Sequence, residues 1–234
     1  KVFKNISDQE KKEITNLMWK NYGCVFAEYI FLDKFRNNKF EKNYLEINGL
    51  DILKKIDRPT IFISAHLGNF ELMAMELEKK EINLAAIYRP LNNFFLNPMM
   101  VYLRKKYICK NQIKKGLIGN KEVISFIKKN YSIALMVDQR VSESDRSPFF
   151  NIPAHTTTIP AQLALKYNLN IIPIYFERRS DNSFLMEIQK PMEIIKTKNS
   201  EEDKKNITLE INKVIEKMIL RNPGQWIWTH SRWK

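Results

Sequence analysis

The period of apolar and polar positions changes several times along this chain, and each change predicts an element. Ser7 and Glu10 form a capping-box pair, and Ile14, Leu17, Met18, Val25, Phe26, Tyr29 and Ile30 follow at helical spacing. They predict an amphipathic first helix rich in aromatic residues. A run of strand formers predicts a strand at 60–65, followed by a helix at about 68–79, a strand at 84–88, and helices at about 94–107 and about 121–129. Residues 133–137 are apolar throughout and stop at Asp138, the pattern of a strand buried on both faces, and 171–176 reads the same way. Residues 158–166 predict a helix with Pro160 in its first turn, 184–188 an alternating strand, and 202–220 a long amphipathic helix halted before Pro223 and Gly224. This alternation predicts an α/β fold in which a mostly parallel mixed sheet is flanked by helices on both faces. Sites in such sheets lie beyond the carboxyl ends of strands, and His66 and Asp138 both fall there.

Composition narrows the reading. With 234 residues and 44% hydrophobic content, the chain suffices for one sizeable core, and no repeat or linker divides it. A single domain over residues 1–234 is expected, with 1–40 as an amphipathic N-terminal helical region. Cys24 and Cys109 match neither a CxxC motif nor a disulfide framework, which favours a reducing compartment. The three histidines, His66, His155 and His230, are too scattered for a metal site, and no cofactor is expected. No apolar run approaches the ~18 residues of a membrane span, and no signal peptide is evident. The chain opens on Lys1 rather than Met, and an apolar anchor of about 20 residues is expected before it.

Charge adds a partner question. The net charge is +13, and residues 101–130 hold nine basic residues, among them Arg104, Lys105, Lys106, Lys114 and Lys115, against the single acid Glu122. Such a block suits phosphates on an anionic lipid, a small ligand or a nucleic acid, or the surface of an acidic carrier protein. It is equally the composition of a solvated lysine-rich surface. A basic nucleic-acid-binding protein is the rival from another class, but no RRM, KH or zinc pattern is present.

The stretch SAHLGNFELM (64–73) carries the candidate chemistry. His66 follows a predicted strand and Glu71 falls in the first turn of the next helix, where the helix dipole favours a carboxylate. An acid so placed can fix the imidazole tautomer and raise its basicity, making His66 a general base. A core histidine beside a capping glutamate would give the same pattern. No GxSxG nucleophile is present, so the hydroxyl to be deprotonated belongs to the substrate. Asp138 and Arg140 could pair with each other at their strand end. Trp226, Trp228 and Trp233 could form an interfacial element, though closing the core is the preferred reading.

Five segments together carry a resemblance: AHLGNFE (65–71), IYRPLNN (87–93) followed by Arg104, MVDQR (136–140), PFFNIPAHTTTIPAQLAL (148–165) and NPGQWIWTHSRWK (222–234). Their order and spacing resemble the lipid A biosynthesis (lauroyl/myristoyl, late) acyltransferase family, from about Gly49 to the C-terminus. The resemblance implies a glycerol-phosphate-acyltransferase-like fold and transfer of a fatty acyl group from acyl carrier protein to a hydroxyl of a Kdo-bearing lipid A precursor. Another glycolipid or glycerol-phosphate acceptor is the alternative. It implies His66 and Glu71 as the catalytic dyad, and Arg104 and Asp138 as further residues needed for activity. Together with Arg89 and Arg140 these are candidate substrate contacts. It also implies an anionic membrane surface as a partner, the cytoplasmic face of the bacterial inner membrane as location, and no nucleic acid. Two departures stand out: Ile159 replaces a glycine common in relatives, and no hydrophobic N-terminal helix is present in the sequence.

Overall fold

The computed structural model describes residues 2–141, 144–230 and 232–233. Helix α1 (Asp8–Glu28) opens on the expected capping box, with Ser7 Oγ accepting the Glu10 N–H at 3.2 Å and the Glu10 carboxylate accepting the Ser7 N–H at 2.8 Å. A 3₁₀ turn (Tyr29–Phe31) and α2 (Leu32–Arg36) lead to β1 (Leu45–Asn48) and α3 (Leu50–Lys54). The chain then runs through β2 (Thr60–Ser64), α4 (Glu71–Lys79), β3 (Leu84–Tyr88) and α5 (Leu96–Leu103), which passes into a π turn (Arg104–Ile108). Next come β4 (Asn111–Lys114), α6 (Leu117–Lys128), β5 (Ser132–Met136) and a hairpin of β6 (Arg146–Phe149) and β7 (Ile152–His155). Helix α7 (Ile159–Tyr167), β8 (Asn170–Arg178), β9 (Phe184–Ile188) and α8 (Ser200–Arg221) complete the order.

Two predicted boundaries move for physical reasons. The helix expected from 68 begins at Glu71, because Gly68 is left-handed (φ +52°) and passes so close to β8 that a Cβ there would lie 3.1 Å from the Arg178 nitrogen. The helix expected over 94–107 stays α-helical only to Leu103, and its last turn widens into the π form that carries Arg104. The four-residue strands β1, β4, β6 and β7 are too short to show an alternation in sequence.

Seven strands form one sheet in the order β1-β9-β8-β2-β5-β3-β4, parallel throughout except between β8 and β9. Every residue of β2 is buried, and successive side chains serve opposite faces. Ile61 and Ile63 join a core with Ala161 of α7 and Ile211 of α8, whereas Phe62 joins Leu72 and Met75 of α4 in a second core. The connection leaving β2 therefore crosses one face by α4, and that leaving β5 crosses the other by α7. Between the carboxyl ends of β2 and β5 this reversal opens a crevice, the position where open α/β sheets bind ligands. Trp226, Trp228 and Trp233 pack around Phe149 and Phe150, so the C-terminal aromatics close the core. Among the described residues no helix is long and apolar enough to cross a membrane.

Candidate active site

Parallel pairing sets the register Ser64↔Met136, and two further residues along each strand bring His66 opposite Asp138. The Val137 N–H donates to the Ser64 carbonyl at 3.0 Å and carries the pairing past the strand ends. Asp138 is 2% exposed and fully engaged. Its Oδ1 lies 2.8 Å from His66 Nδ1, while Oδ2 accepts the His66 backbone N–H at 3.1 Å and the Trp226 indole N–H at 2.7 Å. Burial alone would raise this carboxyl's pKa, but the His66 ring and the converging N–H donors outweigh it and hold the group below the usual aspartate value. An ionised Asp138 fixes the proton on Nδ1, leaving the Nε2 lone pair for chemistry. The His66 ring packs edge-on against Phe70 at 4.5 Å between centroids and borders the crevice.

Glu71 does not hold the histidine. Among the described residues no hydrogen bond joins it to His66; instead its carboxylate accepts two bonds from Arg104 Nε, at 3.1 and 3.3 Å, with further bonds from Arg104 Nη2 and the Tyr29 hydroxyl. The three side chains are nearly buried together. Burial would lower the Arg104 pKa, but the Glu71 charge more than compensates and raises it, while burial and the same charge push the Tyr29 phenol up. The expected His66–Glu71 contact is thus replaced by His66–Asp138, because the non-helical turn between 66 and 71 separates the two side chains while strand register brings a different carboxylate to the histidine. Arg104, expected to contact substrate, has its guanidinium taken up by Glu71 and stacked near the Tyr88 ring at 5.8 Å. A second network ties α1 to the same region: Glu28 takes Arg178 and Asn69, and Arg178 Nε donates to Asn21 Oδ1 at 3.0 Å.

Of the other candidates, Arg89 borders the crevice, Arg140 does not, and among the described residues Asp138 has no ion pair with Arg140. The Arg140 N–H donates to His230 Nδ1 at 3.4 Å, and its Nε is buried without a partner. His155 Nδ1 lies 2.8 Å from the Ser144 carbonyl, away from His66. No cluster of three or more metal-ligating side chains occurs among the described residues. Sequence reasoning passed over Tyr29 and the Trp226–Asp138 bond, since neither shares a local pattern with its partner.

From His66 the crevice continues inward as a cavity of about 400 Å³. Its mouth carries His66, Arg89 and Lys115, and its interior is lined by Met73, Ala74, Ala86, Met100, Ile108 and Ala134. A polar mouth over a largely apolar interior is the form of a small-molecule pocket. Beside the mouth stand exposed apolar side chains on two elements: Trp19, Phe26, Ile30 and Phe31 of the α1 corner, and Phe94, Phe95, Leu96 and Met99 at α5.

The family model described as bacterial lipid A biosynthesis acyltransferase matches residues 1–234. The lipid A biosynthesis palmitoleoyltransferase of Escherichia coli (strain K12) is 24% identical over 243 residues, spanning 99% of this chain and 75% of that protein. The lauroyltransferase of lipid A biosynthesis from the same organism is 23% identical over 238 residues, again 99% and 75%. Among solved structures, the 1-acyl-sn-glycerophosphate acyltransferase PlsC of Thermotoga maritima is similar over 86% of this chain and 87% of its own, with 14% identity and a TM-score of 0.46. Matched over its whole length, the chain belongs to the bacterial lipid A biosynthesis acyltransferase family.

Proposed function

We propose that this protein transfers a fatty acyl group from acyl carrier protein to a hydroxyl of a Kdo-bearing lipid A precursor, with His66 as general base and Asp138 as the residue that positions it. The observation that carries the reading is the Asp138–His66 contact at the head of an apolar cavity. The acyl chain occupies the cavity and presents its thioester carbonyl at His66. Nε2 takes the proton of the acceptor hydroxyl as its oxygen attacks the carbonyl carbon. Backbone N–H groups of the turn between His66 and Glu71 receive the charge on the carbonyl oxygen. Collapse breaks the C–S bond, and the thiolate recovers the proton from the imidazolium, so the histidine ends as it began. General-base catalysis of this kind contributes about 10²- to 10⁴-fold.

In this reading Glu71 and Arg104 form the wall of the site rather than the base's partner. Their buried pair, closed over by Tyr29, holds the first turn of α4 against the π turn that follows α5. Exposed aromatic residues beside the mouth, with Lys20, Lys34, Lys105 and Lys106 around them, support docking on an anionic membrane at the cytoplasmic face of the inner membrane. Incubation of the purified protein with acyl carrier protein thioesters and defined acceptors, read by mass spectrometry of the lipids, tests the proposal. An acylated Kdo-lipid A precursor is expected. Acylation confined to a glycerol phosphate or another glycolipid would replace the acceptor, and no acyl transfer to any lipid would overturn the reading.

A further inference from the structure

Trp226, Trp228 and Trp233 send their indole N–H groups to different kinds of acceptor. Trp228 Nε1 donates to the Pro223 carbonyl at 2.7 Å, and Trp233 Nε1 to the Phe149 carbonyl at 3.1 Å. A backbone carbonyl of this kind is enough to satisfy a buried indole. Trp226 Nε1 instead donates at 2.7 Å to Oδ2 of Asp138, the carboxylate that faces His66. A hydrogen bond to an ionised acceptor is roughly twice as strong as one between neutral groups.

The placement of this donor matters because a carboxylate is planar. Holding Oδ2 fixes the plane in which Oδ1 lies, and Oδ1 is 2.8 Å from His66 Nδ1. Oδ2 takes the His66 backbone N–H at 3.1 Å and the Trp226 indole N–H. The first donor belongs to the very residue being oriented. Among the described residues, Trp226 is therefore the donor that ties Asp138 to something other than His66. His230 and Arg232 lie within range of the Asp138 charge, but their hydrogen bonds go to Arg140, His155 and Thr156. Burial raises the pKa of this carboxyl, and the indole bond is among the contacts, after those of His66, that bring it below the usual value.

Trp226 is itself held firmly. It is 1% exposed, with the rings of Trp228 and Phe149 edge-on at 4.5 and 5.9 Å. The preceding residue, Gln225, clasps the end of β8: its Nε2 donates to the Arg178 carbonyl at 2.6 Å and its Oε1 accepts the Arg178 N–H at 2.8 Å. Beyond Trp226, the buried Arg232 donates through Nη2 to Thr156 Oγ1 at 2.8 Å, with its guanidinium 4.9 Å from the Phe149 ring centroid. The indole is thus presented to Asp138 between an anchor on β8 and one just after β7.

We propose that Trp226 is a positioning residue, acting through Asp138 to hold the His66 imidazole in the tautomer with Nε2 free. The inference rests on the acyl-transfer reading for its kinetic consequence, and on the geometry for the orientation itself. A reacting group misplaced by about 1 Å forfeits about 10²-fold in rate.

Two substitutions in one aromatic cluster separate this role from packing. Trp226→Phe removes the N–H that meets the carboxylate, and Trp228→Phe removes one that meets a backbone carbonyl. Both should lower Tm, since each leaves an acceptor short and a smaller ring in the core. Trp226→Phe should also lower kcat by about 10- to 10²-fold with KM changed by less than about twofold, whereas Trp228→Phe should keep kcat. Added to Asp138→Asn, Trp226→Phe should cause no further loss of kcat. Nitrogen-15 shifts of the neutral His66 ring give a readout that needs no turnover. Wild type and Trp228→Phe should show a protonated Nδ1 and a bare Nε2, and Trp226→Phe a mixture of the two tautomers. Should the phenyl ring leave the core unfolded, 3-benzothienylalanine at position 226 keeps the ring size with sulfur in place of the N–H, and the same outcomes are expected. Unchanged kcat or unchanged nitrogen shifts in the folded position-226 variant, equal kcat losses at 226 and 228, or full additivity with Asp138→Asn would overturn the proposal. Absence of transfer by wild type counts against the acyl-transfer reading, while the nitrogen shifts still decide whether Trp226 orients the pair.

Discussion

Asp138 Oδ1 lies 2.8 Å from His66 Nδ1, across two parallel strands that meet only in the folded sheet. The carboxylate thereby selects the tautomer with Nε2 free. Asp138→Asn is expected to keep the fold and lower kcat by about 10²- to 10⁴-fold, with a smaller effect on KM. His66→Ala should be at least as severe. A near-normal kcat in folded Asp138→Asn protein would remove Asp138 from the mechanism.

The same carboxylate links stability to pH. Its folded pKa is below the ordinary aspartate value of about 3.9, so its contribution is complete above that pH and is lost as pH falls toward the folded value. Urea midpoints should therefore show wild type more stable than Asp138→Ala at neutral pH, with the gap narrowing below about pH 4. A gap constant through that range would contradict an ionised, stabilising Asp138.

Glu71 acts through Arg104, so its loss should read first as lost stability. Glu71→Gln leaves a buried guanidinium short of its partner, and breaking such a pair costs about 3–5 kcal/mol. The double variant Glu71→Gln/Arg104→Gln should recover part of this, giving a coupling energy of about 0.5–3 kcal/mol in a double-mutant cycle. Strict additivity of the two substitutions would mean that the pair carries no such burden.

Cavity depth should set chain length. Ala74, Ala86 and Ala134 line the interior, and a larger side chain there shortens the space without touching His66. Ala86→Phe should shift the preferred donor toward shorter acyl chains while retaining activity on them, at a stability cost of about 1–3 kcal/mol. Competition between acyl thioesters of different lengths measures the shift, and an unaltered preference would exclude the cavity as the acyl site.

Phe94 and Phe95 are 82% and 87% exposed; their rings meet each other edge-on but join neither core. Phe94→Ser/Phe95→Ser should weaken flotation with anionic vesicles while leaving Tm unchanged. Equal flotation of the variant and wild type would remove α5 from the docking face.

Much of this architecture is legible locally. Residues 61–63 and 133–136 announce buried strands through unbroken apolar runs, and His66 and Asp138 are conspicuous as the polar groups beyond them. Their partnership is not local: it depends on the Ser64↔Met136 register across 72 residues, which neither run encodes by itself. A glutamate five residues from a histidine is brought to it by neither helical nor strand period, so their contact hangs on the intervening turn, which the left-handed Gly68 shapes. The Tyr29–Glu71 bond likewise joins residues 42 apart.

The two side-chain networks at the end of α1 make the surface helix and the turn between His66 and Glu71 mechanically continuous. Glu28 is fastened to Arg178 and Asn69, and Tyr29 to Glu71, within a few residues of His66. Removing residues 1–36 would therefore strip a buried arginine of its acid and the Glu71–Arg104 pair of its cover. Inactivity of such a truncation would report a disrupted Glu71–Arg104 pair as readily as the loss of any docking role proposed for α1. A displacement of α1 would, by the same coupling, be felt at His66.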